Sequence, residues 1–207
     1  MGPLKEIVVA TNNRHKFEEI SSMLRNLPVQ WIPLSDYPDA PELKEEGATY
    51  AENAMHKALT VARFTDRWAL GDDTGLEVDA LNGQPGLYSA RFAGEGASFE
   101  DNKRKLIGLL KSVPMEKRTA VFRTVLALAS PDGRRHSVEG VLHGRIAEME
   151  KGTGGFGYDA LFYLPEKGKT FSELARDEKN KISHRALAAQ KIREFLVEIN
   201  RSDRIGV

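Results

Sequence analysis

The sequence predicts an α/β fold built on a mixed sheet. Three observations carry this expectation. Helix-period segments alternate with short apolar runs at both ends of the chain, and two β-rich runs flank Pro131-Asp132-Gly133 between them. The length of 207 residues suits one large domain, or two lobes sharing a sheet.

Ile7-Val8-Val9-Ala10 is an apolar run fit for a buried strand. Phe17, Ile20, Leu24 and Leu27 then fall at helical spacing and predict a helix ended by Pro28. Val29 to Leu34 reads as a second strand, and the acidic, proline-containing stretch from Ser35 to Gly47 as a loop. Thr49-Tyr50-Ala51-Glu52 has the form of a capping box, so a helix is expected from about Tyr50 to Phe64. Trp68 to Gly71 reads as a strand that ends in Asp72-Asp73-Thr74-Gly75. A turn at Asn82 to Gly86 and a helix from Phe99 to Leu110 follow. Thr119 to Val141 forms the expected hairpin, Gly152 to Gly157 a glycine-rich loop, and Ala188, Ile192, Phe195, Leu196 and Ile199 mark a C-terminal amphipathic helix.

Composition excludes several function classes. Hydrophobic residues at 41% and charged residues at 29% fit a soluble globular protein. Thirty basic and thirty acidic side chains cancel, so no global field favours a nucleic-acid polymer as partner. The absence of cysteine removes disulfides, thiolate zinc sites and cysteine nucleophiles together. Met1-Gly2-Pro3-Leu4-Lys5 lacks the apolar stretch of a secretory signal, and no segment nears membrane-spanning length. The expected compartment is the cytoplasm, with no membrane partner.

Two helix starts break local rules. Helix N-termini carry positive partial charge and favour acids, yet one helix opens Asn12-Asn13-Arg14-His15-Lys16 and the last opens Ser183-His184-Arg185. Each misplaced charge costs about 0.3–1 kcal/mol unless compensated, and a bound anion reverses the sign. Solvated bases on a tolerant surface are the competing reading. Lys57 lies about 40° beyond the apolar arc of its helix, where it can lean into a neighbouring cleft or merely snorkel. Acids gather at Glu45-Glu46 and at Asp72-Asp73, and hard oxygen ligands of this kind suit magnesium. The run from Gly152 to Asp159 allows close backbone approach to a ligand, and its aromatics Phe156 and Tyr158 can stack on a base. It matches neither the P-loop nor the dinucleotide fingerprint. Bases for a polyphosphate, acids for a metal and an aromatic loop for a base together describe a nucleoside triphosphate site.

The chain resembles the inosine triphosphate pyrophosphatase family. The resemblance rests on Thr11 to Lys16, Glu45 to Tyr50 with Glu52-Asn53-Ala54, Asp72 to Leu76, Pro85 to Arg91, Gly152 to Asp159, and Lys179 with Ser183-His184-Arg185. These segments come in family order across nearly the whole chain.

That resemblance implies an elongated mixed sheet with helices in two lobes around a central nucleotide-binding cleft, residues 1–207 forming one domain. It also implies a homodimer. It assigns the triphosphate to Thr11, Asn12, Asn13, Arg14, His15 and Lys16, helped by Lys57. Glu45 and Asp73 are the implied magnesium ligands, Glu45 being chosen over Glu46 by counting back from Gly47. Asp73 is the implied proton acceptor, and Asp72 the support of the metal through water. Thr74, Phe156, Gly157, Tyr158, Asp159, Lys179, His184 and Arg185 are the implied nucleotide contacts. Asn12 and Thr74 depart from the glycine and serine of many relatives but keep the relevant chemistry.

The reaction so implied is magnesium-dependent hydrolysis of non-standard purine nucleoside triphosphates, such as ITP, dITP and XTP, to monophosphate and pyrophosphate. It keeps these nucleotides out of nucleic acids. Two other readings compete. Asp73-Thr74-Gly75 also occurs in dimeric aspartic proteases, but that reading leaves the basic helix starts unexplained. A nucleotide-sensing module without turnover would keep the same residues.

Overall fold

Why the chain folds as it does is clearest in its first half, where apolar strands and capped helices alternate. The computed structural model describes residues 5–205, with side chains through Asn200. Residues 1–4, on which the expectation about a secretory signal partly rests, lie outside the described residues. The elements run β1 (Glu6–Ala10), α1 (Arg14–Met23), β2 (Gln30–Pro33), α2 (Tyr50–Thr65), β3 (Trp68–Val78), β4 (Pro85–Gly86) and α3 (Phe99–Leu110). They continue with β5 (Thr119–Ala129), β6 (Arg135–Ile146), β7 (Phe162–Leu164), β8 (Lys169–Thr170), α4 (Arg176–Ile182) and α5 (His184–Ile205). The strands form one mixed sheet in the order β2-β1-β3-β5-β6-β7-β8, with β4 pairing β3. The α/β expectation therefore holds.

The chain divides into two compact units. Among the described residues the first comprises 5–73, 124–140 and 185–205; the second comprises 74–123 and 141–184.

In the first unit β1 pairs in parallel with β2 on one side and β3 on the other. Each parallel connection needs a crossover, and α1 and α2 supply them. They use opposite faces. Ile20 and Leu24 of α1 pack with Ile7, Val9, Leu70 and the α5 residues Ala188 and Ile192. Ala54, Ala58, Val61 and Ala62 of α2 pack with Val8, Ala10 and Ala69. Alternate strand residues feed the two cores, as a period of two requires. The reversal of strand order around β1 makes the β1–β3 junction a topological switch point, where open α/β sheets place ligands beyond the carboxyl ends of the strands.

The second unit has its own core, centred on Phe122, Phe162, Phe171, Leu106 and Leu110. Phe122 and Phe162 lie 4.4 Å apart by ring centre. Its helix α3 starts at a reciprocal cap in which Ser98 and Asp101 satisfy each other's backbone N–H groups.

Several expected boundaries move. Helix α1 gives out at a Leu24 cap rather than continuing to Pro28, because its last backbone bond closes from Leu24 N–H to Ile20. The second strand is shorter than expected, Leu34 having turned into a 3-10 segment. Strand β3 does not stop at Gly71 but continues through both acids to Val78. The Thr49 hydroxyl caps α2 by accepting from Glu52 N–H, while the Glu52 carboxylate reaches Ala48 N–H, one residue outside the expected box. The hairpin strands run on to Ile146, and β7, β8 and α4 have no counterpart in the expectation.

Candidate functional site

The register of β1 against β3 sets the first cluster. Ala10, the last residue of β1, pairs with Gly71, so Asp72 and Asp73 are the first β3 residues beyond the end of β1. Successive strand residues face opposite sides of a sheet. Leu70 and Asp72 therefore face α1 and α5, while Ala69, Gly71 and Asp73 face α2.

On the α1 side, Asp72 is fully buried and both its oxygens are engaged. Oδ1 pairs with the Lys16 ammonium, and Oδ2 accepts from Arg185 Nε at 3.0 Å and from the Thr124 hydroxyl at 3.2 Å. Arg185, 1% exposed, also pairs with the buried Glu19. Burial opposes ionisation of Asp72, but the Arg185 and Lys16 charges overcome it and hold the carboxyl far below the usual range. Asp72 thus aims Lys16, whose side chain keeps 16% exposure. Both Asp72 oxygens are engaged by these cations and by Thr124 from within the chain. The base at the start of α5 is likewise neutralised from within the chain, by Asp72 and Glu19, rather than left for an anion.

On the α2 side, the Lys57 ammonium meets three oxygens: Glu45 Oε1, Asp73 Oδ1 at 3.2 Å and the Asp72 carbonyl at 2.9 Å. Burial pulls its pKa down, but Asp73 and Glu45 outweigh burial and the ammonium is held charged. Asp73 is pushed above the ordinary carboxylate value, first by burial and then, against the pull of Lys57, by the charge of Glu45. Glu46 points elsewhere and pairs with Lys44 on the surface. Two carboxylates converging on one cation suit a hard ion such as magnesium, which takes one or two carboxylates and leaves its other positions to water and phosphate. Among the described residues no group of three or more histidines and acids gathers to hold a metal by itself.

Helix α1 begins with Asn13 as its cap, accepting from His15 N–H at 3.0 Å and Lys16 N–H at 3.3 Å, while Asn13 N–H donates to the Thr11 hydroxyl. No acid occupies its first turn. Asn12 and His15 are exposed, and Arg14 reaches along the helix to Glu18 at 2.8 Å.

The second unit holds the other cluster. Asp159 Oδ2 accepts from Lys179 Nζ at 2.6 Å and from Phe156 N–H at 2.9 Å. Gly155 has a φ of +74°, and a side-chain carbon there would lie 2.1 Å from that same oxygen, so only glycine fits. Lys179 lies 5.2 Å from the centre of the Phe156 ring. Tyr158 is buried, its hydroxyl donating to the Ser89 carbonyl at 2.9 Å and its ring edge-on to Phe99. Tyr158 is therefore closed to stacking, whereas Phe156 is half-buried. His184 is buried and stacked on Phe122 at 4.6 Å. Thr74, half-buried, follows Asp73 on β3, and a side-chain carbon on Gly157 would lie 3.4 Å from the Phe99 ring.

The sequence reading missed Glu19, Asn53 and Thr124. Asn53 stood inside a quoted motif, but nothing local distinguishes buried Glu19 from Glu18, and Thr124 reads as an ordinary β-branched strand residue.

An α/β unit with lysines and carboxylates gathered at its switch point defines a class of protein suited to a phosphorylated ligand. The comparisons with known proteins narrow this class. The chain belongs to the Ham1 family, whose model matches residues 7–195. A relative from Geobacter sulfurreducens named dITP/XTP pyrophosphatase is 50% identical over 193 residues, 93% of this chain and 97% of that one. A HAM1 protein from Coxiella burnetii has a solved structure that superposes with a TM-score of 0.85 at 38% identity, covering 94% of this chain and 99% of that one. The Staphylococcus aureus Ham1 protein superposes at 0.83 with the same identity and coverage.

Proposed function

We propose that the protein hydrolyses non-standard purine nucleoside triphosphates, ITP, dITP and XTP, to the monophosphate and pyrophosphate, with magnesium as cofactor. The observation that carries this reading is the convergence of Glu45, Asp73 and the Asp72 carbonyl on the Lys57 ammonium. Membership of a family whose curated relatives bear the name dITP/XTP pyrophosphatase supports it.

In this reading Glu45 and Asp73 hold the ion, which supplies charge neutralisation on the phosphate oxygens. Water attacks the α-phosphorus and the bond to the bridging oxygen of pyrophosphate breaks. Asp73 accepts the proton from the attacking water, a task suited to a carboxylate whose affinity for protons is raised. Lys16 and Lys57, together with the α1 N-terminus from Thr11 to Lys16, stabilise the negative charge of the departing pyrophosphate. Lys179, Phe156, Asp159 and His184 receive the base in this reading. Arg185 serves from its buried position by fixing Asp72.

Selectivity follows from hydrogen bonding. Hypoxanthine and xanthine carry an oxygen where adenine has an amino group, so a donor such as Lys179 pairs with the first two and not with the third. Each unpaired buried group costs about 1–3 kcal/mol. The protein acts as a homodimer in the cytoplasm on this reading; among the described residues no helix is long and apolar enough to cross a membrane.

The test is to incubate the purified protein with ITP and magnesium and identify the products. Inosine monophosphate and pyrophosphate are expected, with loss of turnover on chelation. Diphosphate and orthophosphate, or comparable turnover of ATP, overturn the reading.

A further inference from the structure

Helix α2 presents two polar side chains one turn apart to the same carboxylate. Lys57 takes Asp73 Oδ1, and Asn53, 2% exposed, donates from Nδ2 to Asp73 Oδ2 at 3.1 Å. The other end of the Asn53 amide is also used. Its Oδ1 accepts from Gly47 N–H at 2.7 Å, two residues along the loop from Glu45. One side chain therefore ties the strand that carries Asp73 to the loop that carries Glu45, because an amide donates at one end and accepts at the other, which an ionised carboxylate cannot do.

The surroundings are built around this bridge. A side-chain carbon on Gly47 would lie 2.7 Å from Asn53 Oδ1 and 2.9 Å from Glu52 Cβ, so the loop reaches the amide only because residue 47 is glycine. The Glu52 carboxylate fixes the next residue by accepting from Ala48 N–H at 2.7 Å. Without Asn53, the loop from Gly47 back to Glu45 loses its tie to Asp73, and Asp73 Oδ2 loses the Asn53 donor.

We propose that Asn53 is a positioning residue that sets the spacing and orientation of the Glu45 and Asp73 carboxylates for a divalent cation. This rests on the reading of those two residues as the ion's ligands. Groups that orient ligands in this way change metal affinity or activity by about 10- to 100-fold when removed.

A second buried asparagine provides the control for mere loss of fold. Asn102, in the other unit, accepts from Ala93 N–H at 2.6 Å and donates to the Ala90 carbonyl at 3.0 Å, so it satisfies backbone groups alone.

The experiment compares the wild type with Asn53→Ala, Asn53→Asp and Asn102→Ala. Manganese binding is measured by electron paramagnetic resonance on the nucleotide-free protein, alongside the half-saturating magnesium concentration, kcat and KM with ITP. Asn53→Ala should weaken manganese binding and raise half-saturation about 10-fold or more, while KM at saturating metal stays within about threefold. Asn102→Ala should lower the melting temperature and leave metal binding at the wild-type value. Asn53→Asp keeps an acceptor for Gly47 N–H but sets a like charge against Asp73, and its kcat should fall about 10-fold or more. It decides the matter if Asn53→Ala does not fold. Wild-type metal binding in Asn53→Ala, equal metal effects in both alanine variants, or wild-type kcat in Asn53→Asp overturns the proposal. A wild type that releases no pyrophosphate overturns instead the functional reading on which it rests.

Discussion

Asp72 and Asp73 are consecutive in the chain but face opposite sides of β3, and each is satisfied by a different set of partners. Asp72 meets Lys16, Arg185 and Thr124, whereas Asp73 meets Lys57 and Asn53. The alternation of a strand thus splits an acidic pair into one buried structural anion and one carboxylate beside the Glu45 loop.

Substitution should separate the two. Asp72→Asn removes the buried anion that Arg185 and Lys16 share. Breaking a buried ion pair costs about 3–5 kcal/mol, which at about 2–4 °C per kcal/mol lowers the melting temperature by roughly 10 °C. Asp73→Asn leaves Lys57 bound to Glu45 and the Asp72 carbonyl, so the melting temperature should hold while kcat falls about 10³-fold, within the range for loss of a general base. Calorimetry and a pyrophosphate-release assay on the same preparations check both. Equal melting temperatures for the two variants would show the division to be wrong.

The same contrast explains what the sequence revealed. Helix α2 was legible because Thr49 and Glu52 announce its start and an apolar arc follows. Strand β3 was not legible beyond Gly71, because a window containing Asp72-Asp73-Thr74-Gly75 looks like a turn. The residue that allows a strand there is Arg185, 113 positions away, and no local pattern contains it. Helix α4 was hidden for a related reason. Its seven residues carry no apolar stripe, and one of them, Lys179, is held by Asp159, 20 positions back. Complementary charges could be read as belonging to one site, but which oxygen each cation takes depends on strand register and sheet face.

Lys57→Met should distinguish the ammonium's two roles. It removes the cation that Glu45 and Asp73 share, so bound metal gains in relative importance. The melting temperature without metal should fall, and the upward shift on adding magnesium should exceed that of the wild type. Turnover should drop about 10²- to 10³-fold, as for loss of one charge stabiliser. A magnesium shift smaller than the wild type's would mean that Lys57 is not what balances the Glu45 and Asp73 charges when metal is absent.

In the proposed function Lys179 is a donor to the base, and Lys179→Met removes that ammonium, which Asp159 holds at 2.6 Å. The expected result is a fall in kcat/KM for ITP and XTP of roughly 10-fold or more, from one unmade hydrogen bond to a charged donor, with little change for ATP. Discrimination against ATP therefore narrows. Steady-state kinetics with the three nucleotides tests this, and an equal loss for all three would assign Lys179 to the phosphates instead.

Gly71 makes a prediction that joins packing to chemistry. A side-chain carbon there would lie 2.1 Å from the Ala54 carbonyl oxygen and 3.0 Å from Ala58 N, both backbone atoms of α2. Neither can swing aside as a flexible side chain would, so Gly71→Ala must push the helix off the strand. Overpacking of a core costs about 1–3 kcal/mol, and a backbone clash belongs at the upper end, a fall of roughly 5–10 °C in melting temperature. The same displacement withdraws Asn53 and Lys57, which flank Ala54 and Ala58 in sequence, from Asp73. Half-saturating magnesium should therefore rise together with the loss of stability, while the preference for ITP over ATP at saturating metal stays as in the wild type. If stability falls and the metal requirement does not move, the closeness of α2 to β3 serves packing alone.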